Sequence, residues 1–157
     1  MGQYSNVVKF GGFDKSSSSC FRSAYPLGLP EEFAFVAVLR MSGSTITRNW
    51  NIWQMLDVNG EQQLAITLNG ESKSLEFSFA AQNGGRQSVV FRPLGSLFND
   101  RWHRVLLEVR KHSVALLVDC ILISSQNIPP RQKVSLGGFT VIGKLKDAPV
   151  IAVPVCL

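Results

Sequence analysis

The sequence predicts an all-β domain, an antiparallel β-sandwich, and three observations predict it. Between Phe33 and Pro154, short apolar runs rich in β-branched and aromatic residues alternate with turn signals at the spacing of a sandwich or barrel. Asn59-Gly60, Asn69-Gly70 and Asn83-Gly84 stand between successive runs, where residues that tolerate positive φ close tight hairpins. Helical periodicity is nowhere sustained.

The runs read as strands at 33–40, 50–57, 62–68, 74–80, 88–92, 102–110, 113–119, 139–144 and 150–154. In the run that starts at Trp102, Val105, Leu107 and Val109 share one parity. Trp102, Arg104, Leu106, Glu108 and Arg110 share the other, as in a half-solvated strand. The run from Phe33 to Leu39 is apolar at both parities, which predicts cover on both faces. Residues 1–29, with Gly11-Gly12 and the serine run Ser16 to Ser19, read as an irregular leader or partial first strand, and 30–157 as the domain proper. Pro129-Pro130-Arg131-Gln132-Lys133 is expected as an exposed loop, because proline cannot donate to a ladder.

A chain of 157 residues with 45% hydrophobic and 17% charged residues is long and apolar enough to bury one core. Its net charge of +5 favours polyanions: nucleic acid, acidic membranes or sulfated polysaccharides. No stretch approaches the roughly 18 consecutive apolar residues of a membrane span, so no span is expected. The first residues lack a basic segment followed by an apolar one, so no export signal is visible. There is no internal repeat and no Gly-X-Y tract.

Catalytic chemistry finds little footing. His103, at a strand start, and His112, at the turn Lys111-His112-Ser113, sit in no motif and read as structural or surface residues. Cys120 ends a strand with no basic neighbour to lower its pKa, so a disulfide suits it better than a nucleophilic role. Three cysteines, Cys20, Cys120 and Cys156, are compatible with one disulfide and one free thiol, or with a missing partner. The close carboxylate pairs, Glu31 with Glu32, adjacent and just before a strand, and Glu71 with Glu76, separated by a turn, do not take the alternate strand positions where a jelly-roll glycosidase would hold its two acids. Asp57, Asp100, Asp119 and Asp147 are dispersed near turns and read as turn caps, not as a calcium site. No catalytic residue, metal site or cofactor is therefore expected.

The basic residues carry the stronger signal. Arg40 and Arg48 flank one loop. Arg101, Arg104, Arg110 and Lys111 belong to one hairpin, and Arg131, Lys133, Lys144 and Lys146 lie in and beyond the Pro-rich loop. Together they are candidates for a stripe that binds glycosaminoglycans, where affinity is electrostatic and falls with salt. Nucleic acid is disfavoured because no aromatic is interleaved with these residues as a stacking platform.

Several segments resemble one family. Leu29-Pro30-Glu31-Glu32-Phe33-Ala34-Phe35, Arg40-Met41-Ser42-Gly43-Ser44-Thr45 and Asn49-Trp50-Asn51-Ile52-Trp53-Gln54 come first. Ser96-Leu97-Phe98-Asn99-Asp100-Arg101-Trp102-His103-Arg104, Val118-Asp119-Cys120 and Gly138-Phe139-Thr140-Val141-Ile142-Gly143-Lys144-Leu145 follow in order. The series resembles the thrombospondin-N-type, laminin-G-like domain of fibril-associated collagens, of the collagen IX kind, over about residues 25 to 155. The resemblance implies a laminin-G or concanavalin-like jelly roll and an extracellular role. It also implies glycosaminoglycans or proteoglycans, other matrix proteins and the collagen chains of a full-length molecule as partners. It makes Cys120 a disulfide member. The family's metal-binding form carries Asp-x-Asp before Gly-Phe, where this chain has Ser135-Leu136-Gly137, so no family-type metal is expected. The chain is shorter than the family domain, which predicts a sandwich lacking some edge strands. A jelly-roll carbohydrate-active enzyme, or a truncated fragment without activity of its own, is the alternative.

Overall fold

The computed structural model describes residues 7–9, 27–135 and 137–146, with the backbone alone at 7–9, 139, 144 and 145. Ten strands are described: β1 (Val7–Lys9), β2 (Phe33–Arg40), β3 (Asn49–Leu56), β4 (Gln62–Asn69), β5 (Ser74–Ala80), β6 (Arg86–Phe91), β7 (Trp102–Val109), β8 (Ser113–Val118), β9 (Ile121–Asn127) and β10 (Phe139–Leu145). They form two five-stranded sheets in the orders β1-β2-β7-β8-β9 and β10-β3-β4-β5-β6. Every pairing is antiparallel except β1 on β2. The predicted all-β sandwich is the observed fold. The strand expected at 150–154, with Cys20 and Cys156, falls outside the described residues.

Alternation explains the core. Register aligns Phe35, Leu107 and Leu116 across one sheet, and Trp53, Ile66, Phe77 and Val89 across the other. All seven are buried, because strand geometry sends every second side chain inward. Trp53 joins the layers: it is 0% exposed, stacks on Phe35 with centroids 5.5 Å apart and meets Phe33 edge-on at 5.8 Å. Val105, Leu107 and Val109 point inward, and Arg104 and Trp102 outward, as their parity predicts. β2 departs from expectation. Ala34 is buried on its outer parity but Val38 is 46% exposed, because Val38 lies opposite outward-facing Arg104 where the sheet opens to solvent.

The turns account for the rest. Gly60 takes φ +81° between β3 and β4, and Asp57 caps that turn by accepting from the amides of Asn59 and Glu61, both at 2.8 Å. Gly70 is required for a different reason: a Cβ there would lie 2.5 Å from the Arg48 carbonyl oxygen. β9 was not expected. Its hairpin with β8 has the two-residue loop Asp119-Cys120, with φ +51° and +67°, the left-handed pair of a type I′ turn that Asn-Gly usually supplies.

Candidate functional site

The strand register gathers three of the basic candidates at one corner. Arg40, the last residue of β2, lies opposite Trp102, the first of β7, and Val38 lies opposite Arg104. Arg40, Trp102 and Arg104 therefore share the outer face, with directly opposed Cβ atoms about 5 Å apart and diagonal ones about 7–8 Å. Arg101 immediately precedes the strand. The Trp102 ring is half exposed, and the Arg40 guanidinium carbon lies 5.7 Å from its centroid. Arg40 also makes a loose 3.7 Å ion pair with Asp100, both side chains being open to solvent. Among the described residues no ion pair engages Arg101 or Arg104.

A polar bracket lies behind this corner. His103 points inward from β7 and is buried. Its Nδ1 lies 2.7 Å from Asp119 Oδ2 and its Nε2 lies 2.8 Å from Asn99 Oδ1. The remaining Asp119 oxygen accepts from the Arg104 amide at 2.8 Å, and Asn99 Oδ1 also accepts from the Arg101 amide at 3.1 Å. The His103 ring first, and the Arg104 amide second, hold the Asp119 carboxyl below its ordinary pKa, since both bonds favour the carboxylate.

The remaining candidates do not join the corner. At the opposite end of the same strands, Arg110 pairs with Glu108, Lys111 lies 3.9 Å from Glu31, and the Lys111 amide donates to Glu32 at 3.1 Å. Arg131 is buried: it lies over the Phe33 ring, donates to the Glu31 carbonyl and forms a β-bridge with Ala81. Burial pushes the Arg131 pKa down, opposed by Glu31 and Glu32. The Pro-rich loop is otherwise exposed, as expected, but the arginine in it is a structural anchor. Lys146 pairs with Glu76 at 3.6 Å on the other sheet. Arg48 and Lys133 lie in separate connections, and Lys144 lies on β10 with its side chain outside the described residues. The expected stripe thus divides, because strand pairing places these groups on different faces and ends.

Cys120 is an exposed free thiol at the β8–β9 turn. Among the described residues, no three His, Cys, Asp or Glu side chains cluster to hold a metal ion, and no helix is long and apolar enough to cross a membrane. Sequence reasoning did not assign Trp102, His103, Asn99 or Asp119 to the corner. The available signal was the parity of Trp102 with Arg104 on a half-solvated strand.

The chain is 36% identical over 122 residues to the human collagen alpha-1(XVI) chain and 33% identical over 124 residues to the collagen alpha-1(XXI) chain of Xenopus laevis. Collagens are its homologues. The matches cover 78% of this chain in each case, but only 8% and 13% of the collagens, so the chain spans about a tenth of the curated relatives it matches. No family model matches. Among solved structures, the sialidase CBM40 module of Ruminococcus gnavus bound to α2,3-sialyllactose superposes with a TM-score of 0.60 at 11% identity, over 88% of this chain and 77% of that one. That likeness concerns the sandwich fold.

Proposed function

We propose that this chain is an extracellular matrix recognition module of the fibril-associated collagen type, and that it takes sulfated glycosaminoglycan chains at the corner of Arg40, Arg101, Trp102 and Arg104. The observation that carries the reading is the exposed Trp102 ring set among guanidinium groups that acids leave largely open. A pyranose ring can lie against an indole face while planar guanidinium forks bind its sulfates. The collagen homology supports a secreted matrix setting, with proteoglycans, other matrix proteins and the collagen chains of a full-length molecule as partners. The finer assignment to a thrombospondin-N-like domain of the collagen IX kind rests on the motif series.

The role is binding, not catalysis. Each close acid pair that a glycosidase reading would recruit has a member engaged elsewhere, Glu31 with Lys111 and Glu76 with Lys146. In an oxidising matrix the exposed Cys120 is the disulfide member, a role that thiol titration before and after reduction tests. For the main reading, the chain should elute from heparin-agarose at higher salt than from a plain cation exchanger of equal charge density. Elution at the same salt on both would sink it.

A further inference from the structure

We propose that His103 is a positioning residue for polyanion binding, acting through Asn99 and Asp119 to fix the backbone that carries Arg101 and Arg104; this rests on the glycosaminoglycan reading above. The geometry is specific. One buried imidazole touches two side-chain oxygens on opposite sides, Asp119 Oδ2 at 2.7 Å and Asn99 Oδ1 at 2.8 Å. The same two side chains accept the amide hydrogens of Arg104 and Arg101, at 2.8 and 3.1 Å. Those amides belong to the residues on either side of the Trp102-His103 pair.

The Arg101 amide fixes the Asn99 orientation, since only its oxygen can accept there, so Nε2 of His103 faces an acceptor. Nδ1 faces a carboxylate. The ring spans the two oxygens and closes the bracket. Asp100 and Asp119 lie at left-handed backbone angles, φ +61° and +51°, conformations that non-glycine residues hold when neighbouring bonds over-determine them. Arg101 and Arg104 are long side chains without ion-pair partners among the described residues, so the backbone beneath them is what sets where their forks begin. Holding both origins fixed lowers the ordering cost of binding.

The test is a charge-matched pair. Asp119→Ala and Asp119→Asn remove the same negative charge, so long-range attraction to heparin changes equally in both. The asparagine of D119N can still accept the Arg104 amide with its oxygen and donate to Nδ1 of a singly protonated His103, whereas the alanine of D119A can do neither. D119A is expected to bind a defined heparin fragment about five- to tenfold more weakly than D119N, the scale of one lost charge-assisted contact. Asn99→Ala, at an exposed position, and His103→Leu are expected to weaken binding by a similar factor while each retains a cooperative melting transition. Equal affinity for folded D119A and D119N, or wild-type affinity for folded N99A, overturns the proposal. Where D119A does not fold, N99A decides. Failure of the wild-type chain to prefer heparin-agarose over the plain exchanger instead overturns the underlying reading, and the positioning role with it.

Discussion

The two ends of the β2–β7 ladder carry the same kind of side chain and use it differently. At the Phe33 end, Arg110, Lys111 and Arg131 face Glu108, Glu31 and Glu32, and the charge is taken up in holding the strand start, the hairpin and the Pro-rich loop together. At the Arg40 end the nearby acids are Asp100 and Asp119. Asp119 commits both oxygens to the His103 ring and a backbone amide, which leaves the guanidinium groups of Arg101 and Arg104 to solvent. Where a carboxylate points, not how many there are, separates a structural cluster from a binding surface.

Substitutions at each end should break this contrast in opposite ways. The largest effect on stability is expected from Arg131→Ala at the closed end, a loss of about 2–3 kcal/mol by denaturant unfolding. It strips the cover from Phe33 and frees the Glu31 carbonyl, and heparin elution should shift much less than in the open-end variants, by only the long-range effect of one lost charge. At the open end, Trp102→Ala and Arg104→Ala should each weaken heparin binding about tenfold while leaving stability within about 0.5 kcal/mol, since both side chains face solvent. The dependence of log affinity on log salt should flatten in the arginine variant alone.

Acid sharpens the same comparison. The Asp119 pKa is lowered by folding, so its stabilisation is fully present above the unfolded carboxylate value and disappears as pH falls through the lower folded value. Wild type should therefore melt above D119N near neutral pH, and the two curves should converge in acid. A gap that persists at low pH would assign the effect to packing. The smallest expected change comes from Cys120→Gly compared with wild type under reducing conditions, where no disulfide contributes: it relieves one left-handed non-glycine residue at the hairpin and should raise stability by about 0.5–1 kcal/mol.

Much of the sandwich is legible in alternation and turn chemistry. The runs at β2 and β5 match the observed strands to the residue, and the parity of β7 foretells which of its side chains are buried. β9 is not legible because Asp119-Cys120 lacks the glycine that marks a type I′ turn, and Ser124-Ser125-Gln126-Asn127 reads as a polar loop before a proline pair. β1 is three residues long, and its parallel pairing with β2 has no local signal. The corner escapes sequence reasoning for another reason. Arg40 and Trp102 become neighbours only through a long-range strand register, and no local pattern reveals which basic residues acids will neutralise.

The three tryptophans give the protein a built-in optical readout. Trp53 and Trp50 are 0% and 6% exposed, whereas Trp102 is 51% exposed. A neutral quencher such as acrylamide should reach the Trp102 emission and spare the buried pair, so one fluorescence trace divides into a component that reports occupancy of the corner and a component that reports unfolding of the core.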